Sequence, residues 1–353
     1  MVWTKQDKIR DGVATMLDVN LAVRDGEKVM IMTDPPSLNQ WRELGLEWLE
    51  EALERCVLAR MVADLATQLK PHAEVQFLPY PSVERSGAEL DRETAERMRA
   101  ADVIIAINTC SLSHTVAAQE ACKAGARIAS MPGFLAEMFE GPMTVDHDVM
   151  AEASRKIAEL LTEARTAVVT TPLGTALTLD LEGRAGDVDT GLITSSAQSR
   201  STPLGSLGNL PGGEAFIAPV EGSAEGQVVV PPEGYPKLKE QMTFHFKGGS
   251  VCRIEGGGEV GKEFRQLLEL PIGGRQTARR NLAELGVGTN PEARSVASDL
   301  EAEKIKGTVH IAIGDNCHIG GVVTADLHED FILWEPDLSL DGRLAIKGGE
   351  WLV

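Results

Sequence analysis

Three short apolar runs, EKVMIMTD, AEVQFLPY and ADVIIAIN, recur early in the chain with long amphipathic stretches between them. This alternation constrains the fold more than any other feature. A strand that is apolar at nearly every position offers no face to water, so it must be covered on both sides. The stretch from Trp41 to Leu69, the charged segment AELDRETAERMRA and the segment VAAQEACKAGARIASMPG are placed to supply covering helices. The pattern predicts a parallel, doubly wound sheet in an α/β N-terminal domain. A last helix, DVMAEASRKIAELLTEAR, ends near Arg165.

From there the texture changes. TAVVTTPLGTALTLDLEGR alternates with a period of two, and Gly and Pro become frequent. One helix, GKEFRQLLEL, interrupts strand-rich sequence, and strands return from Gly307 onward. An α/β domain over residues 1–165 is therefore expected to precede an α+β domain over 166–353. At 353 residues the chain is long for one core, which agrees with two domains.

The net charge of −19 argues against a phosphate-backbone partner, which calls for a basic face, so no nucleic acid is expected. No run is long and apolar enough to span a bilayer, and MVWTKQDKIRDG lacks a signal-peptide core. Neither a membrane partner nor export is expected. The five cysteines are odd in number and form no CxxC pair, which fits a reduced cytoplasm.

Three stretches could carry chemistry. NTCSLSHT, Asn108 to Thr115, follows a parallel strand and precedes a helix, where open sheets bind ligands. The plainer reading is that Ser113 or Thr115 caps the helix and His114 is an exposed first-turn residue. GGGEVG, Gly256 to Gly261, matches a dinucleotide fingerprint in form, but no parallel strand follows and no acid stands at the required spacing. It reads as a glycine-rich turn, and no nucleotide cofactor is expected.

The third stretch is denser. In GTVHIAIGDNCH, Val309, Ile311 and Ile313 share one strand face, and Thr308, His310 and Ala312 share the other. An imidazole among small residues leaves room for a ligand. In LHEDFIL, the same period aims His328 and Asp330 into one space. His310, His328 and Asp330 supply N and O donors of the kind that hold a divalent ion, although an ordinary surface strand could carry the same spacing. Upstream, LPGGEAFIAP offers Glu214 and NLAELGVGTNP offers Glu284, each of which taken singly reads as a surface residue.

Together these residues resemble a family, the metallo-aminopeptidases of the T and S type (leucyl aminopeptidase-like). The resemblance rests on PLGTALTLDLEGR, NLPGGEAFIAP, LAELGVGTNPEAR, GTVHIAIGDN and LHEDFIL, in that order, and covers most of the second domain. It implies a homodimeric zinc-type metalloprotease with two divalent ions per chain (Zn²⁺, Co²⁺ or Mn²⁺). Glu214, Glu284, His310, His328 and Asp330 match its metal-binding residues. Such a pair of ions activates a water and polarises the scissile carbonyl, and Glu214 or Glu284 could carry the proton to the leaving amine. The family's active-site Tyr falls at Cys317 here, and His318 beside it is the candidate hydrogen-bond donor in its place.

The sequence is similar to a second, distantly related group, the 2,5-dihydroxypyridine 5,6-dioxygenases. These hold one Fe²⁺ by two His and one Asp and open the ring with O₂. His328 and Asp330 match two of their ligands. The third falls at Glu284, where they carry His, and Glu214 and His310 have no counterpart. The carboxylate-rich set therefore places a peptide- or amide-cleaving hydrolase first and the dioxygenase second. A metal-stabilised binding protein stands third, because five candidate ligands without a cysteine pair suit an open site better than a closed structural one.

Overall fold

The structure, a computed structural model, describes residues 4–113, 115–194, 207–269 and 276–353. The chain packs as two units. One comprises Met1–His147, to which the described residues 190–194 and 207–212 return, and the other comprises Asp148–Asp189 and Gly213–Val353.

The first unit holds the expected parallel sheet. Its strands are β1 (Lys28–Thr33), β2 (Glu74–Pro79), β3 (Val103–Asn108), β4 (Arg127–Pro132) and β8 (Leu207–Asn209), in the order β2-β1-β3-β4-β8. All six residues of β3 are buried, which its unbroken apolar run requires. The helix Leu46–Leu69 buries Leu49, Ala52, Leu58, Ala59, Val62, Leu65 and Ala66, an apolar stripe at three- and four-residue spacing.

The helix His147–Glu163 contributes Ile157, Ala158 and Leu161 to the core of the second unit. The division of the chain therefore falls at His147/Asp148, one helix before the change in texture near residue 165. An amphipathic helix groups with the surface that covers its apolar stripe, whatever the composition that follows it.

Two antiparallel sheets build the second unit. One contains β5 (Thr166–Thr170), β6 (Ala176–Asp180), β10 (Glu225–Val230), β11 (Met242–Lys247), β12 (Ser250–Gly256), β16 (Asp337–Leu340), β17 (Arg343–Lys347) and β18 (Glu350–Trp351). The other contains β7 (Asp187–Asp189), β9 (Glu214–Ile217), β13 (Leu282–Gly288), β14 (Val309–Gly314) and β15 (His328–Leu333), ordered β15-β14-β13-β9-β7. Apolar side chains of both sheets join one core. Phe244 of β11 meets Phe331 of β15 with ring centroids 4.6 Å apart, and Phe264 lies 5.4 Å from Phe331.

The fold is thus mixed α/β, with the parallel sheet first and antiparallel sheets after it. GGGEVG joins antiparallel β12 to the helix Gly258–Glu269, with Gly256, Gly257 and Gly258 at φ of 67°, 77° and 50°. Only glycine takes three such values in a row without strain. Among the described residues no helix is long and apolar enough to cross a membrane, and all five cysteines are free thiols.

Candidate metal centre

Strand period and register place the centre. Along β13, β14 and β15, the residues Leu285, Val287, Val309, Ile311, Ile313, Phe331 and Leu333 enter the core. Their neighbours must then point to the opposite face. The ladder sets Gly286 against His310, Ala312 against both Glu284 and Asp330, and Gly314 against His328. Next to β13, Glu214 of β9 pairs with Gly288. A bulge between Leu282 and Glu284 lets Leu282 reach the core while Glu284 faces the other way.

Four strands therefore deliver five donors to one face. Glu284 sits in the middle. Its Oε1 lies 3.3 Å from His310 Nε2 and its Oε2 lies 3.2 Å from His328 Nε2. His310 Nε2 is 3.5 Å from Glu214 Oε2, and His328 Nε2 is 3.7 Å from Asp330 Oδ2. The donors fall into two overlapping groups that share Glu284: Glu214–Glu284–His310 and Glu284–His328–Asp330. The structure brings together all five residues singled out from the sequence.

The small partners are part of the design. Gly286 must lack a side chain, since a Cβ there would strike the His310 ring. His328 is held from behind, where its Nδ1–H donates to the Asp315 carbonyl at 2.7 Å, leaving Nε2 for the site. Such a bond fixes both ring orientation and tautomer, as at most metal-ligating histidines. Two polar atoms in the site are buried without a hydrogen-bond partner, His310 Nδ1 and Asp330 Oδ1.

The electrostatics call for added positive charge. Burial alone would lower the His310 pKa, but Glu284, Glu214 and Asp330 override it and raise it to about 9. At His328 burial is likewise overridden, by Asp330 and Glu284, and the pKa rises to about 10. Burial lifts the Asp330 carboxyl to about 6, with Glu303 and Glu284 adding to the rise against His328. Glu284 is held well below the usual carboxylate range: burial opposes this, but the hydrogen bonds from His310 and His328 prevail. Imidazole and carboxylate donors, a partnerless buried carboxylate oxygen and this surplus of negative charge all fit a divalent cation.

His318 stands at the margin. Its Nδ1–H donates to Asp315 Oδ2 at 2.6 Å, and its ring meets that of His328 edge-on with centroids 5.0 Å apart. Asp315 thus holds one histidine by its carbonyl and the other by its carboxylate. Cys317, at the position where the aminopeptidases carry Tyr, is exposed. Tyr235 donates to Glu329 at 2.9 Å, but Glu329 lies between His328 and Asp330 in the strand and faces away from both.

Four contributors escaped the sequence reading. Lys304 and Glu303 lie in EAEKIKG, a charged stretch with no motif to mark it, yet Lys304 is fully buried and lies 2.5 Å from Glu214 Oε1. Asp315 acts through its carbonyl, which no side-chain motif announces. Gly286 had a usable signal, a glycine in the interior of a strand.

In the first unit, described residues of NTCSLSHT bond to residues elsewhere in that unit. Asp34 accepts the amides of Thr109 and Cys110 at 2.6 and 3.0 Å, and Ser113 Oγ donates to Ser130 Oγ at 2.8 Å. Thr115 caps the helix Val116–Lys123 through the Ala118 amide, 3.1 Å away. His114 lies outside the described residues.

With this geometry in hand, comparison with known proteins decides between the two families. The family model of the 2,5-dihydroxypyridine 5,6-dioxygenases, NicX, matches residues 15–353. The chain belongs to this family. Among solved structures it is similar to the 2,5-dihydroxypyridine dioxygenase from Pseudomonas putida KT2440, at 17% identity and a TM-score of 0.69, over 99% of each chain. It is also similar to AmpT from Thermus thermophilus, at 16% identity and a TM-score of 0.66, over 99% of this chain and 100% of that one. At these identities both structures establish the fold. No curated protein matches the chain at a significant level.

Membership of the NicX family overturns the hydrolase expectation. The aminopeptidase resemblance remains as a relationship of fold. The reason for the misreading is chemical. Carboxylates and imidazoles bind a divalent ion equally well whether the reaction that follows consumes water or O₂, so donor types alone do not separate the two.

Proposed function

We propose that the protein is a metal-dependent ring-cleaving dioxygenase acting on a hydroxylated pyridine. The match of the NicX family model to residues 15–353 carries this reading. The convergence of Glu284, His328 and Asp330 on one face of the second unit supports it. Fe²⁺ is the ion this reading names, because O₂ chemistry needs a metal that can exchange an electron and Zn²⁺ cannot. When bound, the ion would supply a redox-active, electron-accepting centre at which the ring and O₂ meet.

The chain's own residues have defined tasks. Glu284, His328 and Asp330 would hold the ion by one imidazole and two carboxylates, with Glu284 standing where the dioxygenases are expected to carry a second His. The Asp315 carbonyl keeps His328 Nε2 turned inward. His318, anchored on the Asp315 carboxylate, is the candidate to take a proton from a ring hydroxyl as the substrate seats. Glu214 loses the role of shuttling a proton to a leaving amine, since ring opening releases none. The reading includes a homodimer, which light scattering on the purified protein tests.

The deciding experiment loads the purified protein with Fe²⁺ without air and then offers 2,5-dihydroxypyridine with and without O₂. Oxygen uptake matched one-to-one by loss of ring absorbance is the expected result. No uptake across a panel of hydroxylated pyridines, together with aminoacyl-amide cleavage under argon, would overturn the proposal.

A further inference from the structure

A two-cation site would need both donor groups free, and one of them is already neutralised. The Lys304 ammonium is 2.5 Å from Glu214 Oε1 and 2.8 Å from Glu303 Oε1. Its side chain is 0% exposed, and those of Glu214 and Glu303 are only 10% and 12% exposed. Glu214 is divided between two partners: one oxygen meets Lys304, and the other faces His310 at 3.5 Å. Any ion in the Glu214–Glu284–His310 group would have to share Glu214 with a buried ammonium. Like charges so close, with little water between them, repel strongly. On the far side of Glu284, the Asp330 carboxylate keeps a buried oxygen without a partner, and Glu303 is engaged by Lys304.

We propose that Lys304 is a built-in cation that fills the second cation position of this site. The chain then takes a single divalent ion, at Glu284–His328–Asp330. Glu214, Glu303 and Lys304 form a buried ion-paired triad with Asp189 nearby, and His310, between Glu214 and Glu284, is a positioning residue for Glu284. This inference rests on the reading of Glu284–His328–Asp330 as a metal site. It extends that reading by assigning the other half of the donor cluster to a lysine.

Metal content tests it without reference to turnover. The probe is Mn²⁺, titrated calorimetrically into metal-free full-length protein, with elemental analysis after desalting and electron paramagnetic resonance of the bound ion. The wild type is expected to hold one Mn²⁺ per chain with the six-line signal of an isolated ion. Lys304→Ala leaves two buried glutamates without their cation and opens the space beside them. It is expected to hold two ions per chain with the broadened spectrum of a coupled pair. Lys304→Arg, which keeps the charge, should stay at one. Two ions in the wild type overturn the inference even if the alanine variant does not fold, and so does a folded alanine variant that remains at one. A wild type that binds none overturns the metal reading itself, and this inference with it.

Discussion

Gly286 lies directly across the β13–β14 ladder from His310, and a Cβ at Gly286 would come within 1.8 Å of the His310 Nε2 atom. The ring fills the space that the missing side chain leaves, so one position in β13 decides whether an imidazole in β14 can lie flat against the sheet. Gly286→Ala is expected to push His310 out of line with Glu284. The overpacking should cost about 1–3 kcal/mol, read as a shift in denaturant midpoint. Metal affinity should fall with it. An unchanged affinity and midpoint would show that the ring tolerates the methyl group.

Asp315 gives a second, subtler prediction. Asp315→Ala keeps the carbonyl that holds His328 but removes the carboxylate that accepts from His318 and from the Ala325 amide. The 314–318 turn should loosen and with it the His328 ring. Metal affinity is expected to drop roughly 10–100-fold, the usual effect of losing an outer partner of a ligand. Isothermal titration with Mn²⁺ is the measurement. An effect as large as that of His328→Ala would mean that Asp315 itself ligates.

Two adjacent residues in β15 should separate stability from chemistry. Phe331 is buried against Phe244, Phe264 and Tyr235, so Phe331→Ala should cost about 3–5 kcal/mol of stability. Asp330 points the other way, and burial makes its charge unfavourable before metal binds. Asp330→Asn is therefore expected to raise the stability of the metal-free protein while abolishing metal binding and turnover. Retention of metal by Asp330→Asn would remove Asp330 from the ligand set.

The two histidines set a pH dependence whose sign follows from the carboxylates around them. Their pKa values lie at about 9 and about 10 in the metal-free fold, against roughly 6.5 in an unfolded chain. The folded state therefore binds more protons between those limits. Its stabilisation is fully present below the unfolded value and is lost as pH rises through the folded values. The thermal midpoint of the metal-free protein should fall between about pH 7 and pH 10. A ligating imidazole must be neutral, so metal binding near pH 7.5 should release protons. Calorimetry in buffers of different ionisation enthalpy reads that release directly. A binding enthalpy independent of the buffer would contradict it.

Much of the fold was legible because it follows from local rules. ADVIIAIN cannot present a wet face, so it had to be a covered strand, and β3 is buried along its whole length. GTVHIAIG alternates and LHEDFIL follows the same strand period of two, so His310, His328 and Asp330 had to leave the core that Ile311 and Phe331 enter. GGGEVG could be set aside as a turn because its surroundings lack the strand that a nucleotide site needs.

What the sequence determined by itself was which face each of these side chains takes, since a period of two is a property of the backbone. Only the tertiary structure decided which faces meet. Glu214 and Glu284 lie seventy positions apart, and they become neighbours because β9 and β13 pair in the order β15-β14-β13-β9. Lys304 carries no signal of burial within EAEKIKG, and it enters the protein because Glu214, ninety positions away, needs a cation that its neighbour Glu303 also shares. The same separation explains why the donor residues suggested a hydrolase. Ligand atoms attract a divalent ion through short-range charge and geometry. Which reaction the ion serves depends on the space and partners around it, and those are assembled from residues distant in sequence.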